Sequence, residues 1–166
     1  MSKIKCSHFI AEFLAKKGIS HVFDVSGGMI ANLEDSISKK QGIECLPGRH
    51  EQASGFGAEG YARISHNFGV AMATSGPGAT NLITAIGSCY FDSVPVLFIT
   101  GQVNTKQIRK NLKMRQLGFQ ETDIVSIVKP ITKYAQLILN PENIKYELEK
   151  CVYLMKEGRQ GPVLLD

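Results

Sequence analysis

The run Arg49-His50-Glu51-Gln52 puts a carboxyl group just after a Pro47-Gly48 turn, at the head of a helical pattern from His50 to Ile64. A carboxyl group in that position has two uses. As a first-turn acid it complements the helix dipole, an effect of about 0.3–1 kcal/mol. Aimed into a ligand crevice, it can take up and release a proton. His50 reads more simply as a hydrogen-bonded structural histidine than as a catalyst or metal ligand, because no second His or Cys stands at ligand spacing. A second set of residues, Thr74-Ser75-Gly76-Pro77-Gly78-Ala79-Thr80-Asn81, follows an apolar stretch and opens a helix. Pro77 suits the first helical position, and a helix N-terminus can accept an anion or a polar ligand atom. Asn81 stands where a dinucleotide fingerprint needs its third glycine, and no Gly-Lys-Ser/Thr follows as a P-loop requires. The third region, Gln102 to Glu121, has little periodicity and is long for a connection. With Lys106, Arg109, Lys110, Lys113 and Arg115 it is either a solvated mobile loop or an anion-attracting wall over a crevice.

These segments must be held by a scaffold, and the chain alternates two periods along its length. Ile4 to Leu14 has one apolar helical face, with Gly18 placed to end it. Strand patterns at His21–Val25, Ile43–Leu46, Phe68–Ala73, Val94–Thr100, Ile131–Leu139 and Pro162–Leu165 alternate with helical patterns at Met29–Ile37, His50–Ile64, Ala79–Ser88 and from Asn140-Pro141 to about Glu157. Such alternation predicts an α/β fold: a doubly wound, mostly parallel six-stranded sheet with helices on both faces. Ligands of these sheets bind at the carboxyl ends of the strands. The loops to search are therefore 26–29, 47–51, 74–81 and 101–121. Gly55, Gly57 and Gly60 interrupt the helix after Glu51, each costing roughly 0.5–1 kcal/mol against alanine. They call for close approach of another backbone, such as a second subunit, or of a bound ring.

The bulk properties exclude several classes. Net charge is +4 over 166 residues, without the basic, aromatic-interleaved run of a nucleic-acid binder. No apolar stretch reaches the roughly 18 residues of a membrane helix, and the polar start, Met1 to Lys5, does not read as a signal peptide. Cys6, Cys45, Cys89 and Cys151 are too far apart for a CxxC pair and are expected as free thiols in a reducing cytoplasm. The end at Gly161-Pro162-Val163-Leu164-Leu165-Asp166, flush with a buried strand pattern, leads to the expectation that more chain or a partner follows.

Taken together and in order, Gly48–Ala53, Ala58-Glu59-Gly60-Tyr61-Ala62-Arg63, Thr74–Asn81, Asp92-Ser93-Val94-Pro95, Thr100-Gly101-Gln102-Val103, Phe119-Gln120-Glu121-Thr122-Asp123 and Lys129-Pro130-Ile131-Thr132-Lys133 closely resemble the N-terminal, pyrimidine-binding (Pyr) domain of acetolactate synthase and its thiamine-diphosphate-dependent relatives. The resemblance covers nearly the whole chain and implies one Pyr domain over 1–166, with the family's middle and PP domains absent. It implies that Glu51 hydrogen-bonds N1′ of the cofactor's aminopyrimidine and relays the proton that activates C2 of the thiazolium for attack on a 2-keto acid, followed by decarboxylation and carboligation. It assigns Gly27, Gly28, Thr74, Gly78 and Asn81 to the cofactor's surroundings and Phe119 and Gln120 to the substrate pocket. Mg2+ and the diphosphate would be held by the PP domain of a second subunit, because no Gly-Asp-Gly occurs here. That arrangement implies a homodimer or higher homo-oligomer and no turnover by this chain alone. Some relatives also carry FAD in a middle domain. Three departures stand out, one being that Gly55 and Gly57 sit where small residues, often alanine, are usual. Ser26 replaces the proline of the family's Pro-Gly-Gly turn, and Asn104 to Leu117 is longer and more basic than usual, which bears on substrate identity. The rival readings are the small subunit of a split thiamine-diphosphate decarboxylase and a non-catalytic nucleotide-binding module using the Gly76–Asn81 turn.

Overall fold

The computed structural model describes residues 4–109 and 112–166. Lys110 of the basic stretch, and Met1 to Lys3 of the polar start, lie outside them. In chain order the main elements are α1 (Cys6–Lys16), β1 (His21–Asp24), α2 (Ala31–Ser38), β2 (Glu44–Pro47), α3 (Glu51–Ser65), β3 (Gly69–Ala73), α4 (Pro77–Asn81), α5 (Ile83–Asp92), β4 (Val96–Thr100), α6 (Ile124–Val128), β5 (Tyr134–Gln136), α7 (Ile144–Lys156) and β6 (Val163–Leu165). The strands form one sheet in the order β2-β1-β3-β4-β6-β5, and every described pairing is parallel. The expected fold class therefore holds, with no antiparallel edge. All strand carboxyl ends fall on one side of the sheet, which gathers the loops named above.

Alternation along the strands separates two layers. Val22, Val70, Met72, Leu97, Ile99, Val163 and Leu165 face α1, α2 and α7, packing on Leu14, Ile37, Leu148 and Met155. Ala71, Ala73, Val96, Phe98 and Leu164 face α3, α4, α5 and α6, against Ala58, Ala62, Ala79, Ala85 and Ile86. β3 and β4 are buried along their whole length, as parallel strands covered on both faces must be. α1 stops in a Schellman turn: Ile19 N–H donates to Leu14 C=O and Gly18 N–H to Ala15 C=O, while Gly18 takes φ 77°. Among the described residues no helix is long and apolar enough to cross a membrane.

Several boundaries differ from expectation. The helix after Gly76 begins at Pro77, breaks at Leu82 and runs on to Asp92, where Ser93 in the left-handed region (φ 61°) ends it. The strand expected over Ile131–Leu139 narrows to Tyr134–Gln136, because Lys129–Ile131 is a 3₁₀ turn. Asn140 does cap, accepting from Glu142 N–H, but it caps a 3₁₀ turn that precedes α7. α6 was not expected from the periodicity. Asp123 caps it by accepting from Ser126 N–H at 3.1 Å. Two of the three helix glycines answer to neighbours within this fold. A Cβ at Gly55 would lie 2.5 Å from Ala85 Cβ and one at Gly57 2.6 Å from the Phe23 ring, whereas Gly60 faces open space.

Candidate functional site

Glu51 opens α3 directly after β2, so the strand's carboxyl end delivers it to the edge of the sheet. His50 is its N-cap: extended in backbone, it accepts Gln52 N–H on Nδ1 at 3.1 Å. That is the structural role expected of this histidine. The next turn of α3 is tied back to the sheet, because Ser54 Oγ donates to the carbonyl of Asp24 at 2.9 Å and Gly48 N–H donates to the same oxygen at 2.6 Å. The head of the helix is thereby fixed against the ends of β1 and β2.

The other half of the site comes from the turn after β3. Gly76 takes φ 66° to turn the chain sharply into α4, and Asn81 ends that helix with its Nδ2 donating to Glu51 Oε2 at 2.8 Å. The second carboxylate oxygen, Oε1, looks toward Gly78, where an added Cβ would stand only 3.4 Å away, and 2.9 Å from Thr74 Cγ2. Gly27 packs on Thr74 so closely that any side chain there would overlap it, and Thr74 Oγ1 accepts Met29 N–H at 3.3 Å. Glu51, Asn81, Gly78, Thr74 and Gly27 therefore converge. Gly28 faces open space. Gln120, itself left-handed at φ 59°, lies against Gly76, where a Cβ would come within 2.6 Å of the Gln120 Cβ. Phe119 is 72% exposed and stands outside this contact set.

The described residues of the long segment from Gly101 to Asp123 make specific internal hydrogen bonds. Glu121 clasps it from within, accepting Arg109 N–H and Leu117 N–H on its two oxygens, each at 2.8 Å. Partial burial opposes ionisation of Glu121, but those N–H groups and the Arg109 charge outweigh it and hold the carboxyl below its ordinary range. At the base, Gln102 Nε2 donates to Thr122 C=O and to Asp166 Oδ2, both at 2.8 Å, while Thr100 Oγ1 donates to Asp166 Oδ1 at 2.7 Å. Burial raises the Asp166 carboxyl to about 6, against the pull of those two donors. Asp166 was not among the expected site residues. Nor was an acid pair behind the glycine turn, the buried Asp24 on β1 and the half-buried Glu34 on α2. Both were hidden because their partners lie far away in sequence.

Residues 4–127 match the family described as thiamine pyrophosphate enzyme, N-terminal TPP binding domain. The chain belongs to this family. Among curated relatives, it is 37% identical over its full 166 residues to the acetolactate synthase large subunit of Buchnera aphidicola subsp. Schizaphis graminum, covering 28% of that protein. It is 41% identical over 172 aligned residues to the large subunit of Lactococcus lactis subsp. lactis, covering 29% of it. It is also 39% identical over 162 residues to the chloroplastic acetolactate synthase of Arabidopsis thaliana, covering 98% of this chain and 23% of that one. The chain thus spans less than a third of the relatives it matches. A TPP-binding domain needs a polar anchor for the cofactor ring, and the Glu51–Asn81 pair, set against the backbone of Gly78, is one. Among the described residues no three His, Cys, Asp or Glu side chains gather as a metal ion would require. The residues present therefore offer the cofactor a polar anchor, and the described ones do not by themselves fit Mg2+.

Proposed function

We propose that this chain is the pyrimidine-binding part of an acetolactate-synthase-like enzyme acting on 2-keto acids, with Glu51 as its proton-relay residue. When bound, thiamine diphosphate supplies a thiazolium carbon that attacks the keto carbonyl and takes up the electrons released with CO2. The observation that carries the reading is the state of the Glu51 carboxyl group. One oxygen is fixed by Asn81 Nδ2 at 2.8 Å, and the other faces Gly78, where an added Cβ would stand 3.4 Å from it. A carboxyl group so held can give and take a proton at its Oε1 oxygen, the role it would have toward a ring nitrogen of the cofactor. Asn81 fixes the rotamer. Thr74 and Gly27 pack together on one wall, and Gln120 carries the substrate-side loop against Gly76. Phe119, exposed here, would line the substrate pocket from that loop.

The remainder of the cofactor site lies elsewhere in the assembly. With no Gly-Asp-Gly in the chain, the diphosphate and Mg2+ fall to a PP domain of a second subunit in a homodimer or larger homo-oligomer. The test is Glu51→Gln in the complete protein, scored by 2-keto acid decarboxylation. Turnover should drop 10²- to 10⁴-fold with the circular dichroism spectrum unchanged. Turnover near the wild-type rate would remove Glu51 from the relay.

A further inference from the structure

Asp24 ends β1 with only 2% of its surface exposed, and strand alternation sends its side chain to the α2 side, along with that of Val22. There it faces Glu34, in the first turn of α2, and Cys45 of β2. Asp24 Oδ1 and Glu34 Oε1 are both buried and receive no hydrogen bond from any described residue. The Cys45 thiol, the Ser26 hydroxyl and the backbone of Gly27 act on the pair, and among the described residues no Lys, Arg or His forms an ion pair with either acid. Burial and the neighbouring Asp24 push the Cys45 thiol up to about 12, so it stays protonated and brings no charge. Two ionised carboxylates in contact without a cation would each meet burial and the other's charge. A single proton between them removes the repulsion and gives both orphan oxygens a partner.

The pair also touches both walls of the candidate site. The main-chain carbonyl of Asp24 holds Ser54 and Gly48, which fix the head of α3 one turn after Glu51. Glu34 faces Ser26 and Gly27, the turn that packs on Thr74. We propose that Asp24 and Glu34 share one proton and act as positioning residues, holding the Ser26–Gly27 turn and the head of α3 in the register the site uses. The sharing of the proton stands on burial and the orphan oxygens alone, whereas the positioning role rests on the function proposed above.

The pH sense follows from burial, which raises both carboxyl groups above their ordinary values, with the Asp24 charge adding to the effect on Glu34. The folded protein then binds more protons than the unfolded chain above the ordinary carboxyl range, so stability falls as pH rises out of that range. The experiment is a melting-temperature series against pH on the complete protein, comparing wild type with Glu34→Gln and Asp24→Asn. An amide donates its N–H permanently, so each amide variant should lose part of the wild-type downward slope, while the Asp166 contribution is common to all three. Identical slopes in wild type and both amide variants would overturn the shared proton. Should an amide variant fail to fold, infrared spectra of Asp166→Asn at neutral pH decide the matter: a protonated-carboxyl stretch supports the pair and its absence overturns it. For positioning, thiamine diphosphate affinity should weaken about tenfold or more in Glu34→Ala and recover in Glu34→Gln. Equal affinity in Glu34→Ala and wild type would end the positioning role. No binding by wild type would end it together with the proposed function, leaving the melting series to judge the proton alone.

Discussion

The two faces of the sheet are built from different material. The face under α1, α2 and α7 is filled with Leu14, Ile19, Ile37, Phe68, Met72, Leu148 and Met155, all fully buried. The face under α3, α4 and α5 mixes six alanines with larger side chains such as Leu82, Ile86 and Phe98, and Gly55 and Gly69 stand at its tightest crossings. Large side chains keep helices about 10 Å from a sheet and contribute most of the apolar burial. Small ones let helices settle close, and here that brings Glu51 at the head of α3 and Asn81 at the end of α4 within 2.8 Å of each other. One face chiefly contributes stability and the other chiefly sets site geometry. Both positions of the candidate relay stand at the carboxyl edge of the small-residue face.

If this division is real, truncation and enlargement should act differently on the two faces. The largest loss is expected for Phe68→Ala, which empties a fully buried ring position on the large-residue face. Denaturant melts should show about 3–5 kcal/mol lost, while the folded fraction of the complete enzyme keeps its turnover per molecule. A smaller loss, about 1–3 kcal/mol, is expected for Gly69→Ala, whose Cβ would overlap the carbonyl of Ala58 on α3. Here the folded fraction should also lose turnover, because α3 must back away and carry Glu51 with it. Unchanged turnover in folded Gly69→Ala would break the comparison. The smallest effect belongs to the edge, where Asp166 joins β6 to Gln102 and Thr100. Its carboxyl is raised to about 6, chiefly by burial, so the native state holds a proton that the unfolded chain has released. Stability should therefore fall as pH rises from about 4 to about 6, and Asp166→Asn should remove that part of the slope in a pH series of thermal melts.

The sheet was legible in the sequence because parallel strands covered on both faces leave short apolar runs, as at Phe68–Ala73 and Val94–Thr100. The pairing of Glu51 with the Thr74–Asn81 turn was legible only through several motifs read together, since a first-turn acid or a glycine-rich turn alone has an ordinary structural use. What stayed hidden depends on contacts distant in sequence. Glu121 reaches back twelve residues to accept the Arg109 N–H. The Asp24–Glu34 pair and the Asp166–Thr100 bond need the sheet to form before they exist. α6 is only five residues long, too short for a period to register, although Asp123 three residues before Ser126 is a readable cap. Gly55 and Gly57 called for close approach of another backbone, such as a second subunit, or of a bound ring, and within this fold they meet Ala85 of α5 and the Phe23 ring.

The relay assigned to Glu51 is tested most directly by hydrogen–deuterium exchange at C2 of thiamine diphosphate bound to the complete enzyme, followed by quenched-flow NMR in wild type and Glu51→Gln. Exchange should slow by at least about 10²-fold in the variant while the cofactor stays bound; exchange at the wild-type rate with cofactor bound would contradict the role given to Glu51.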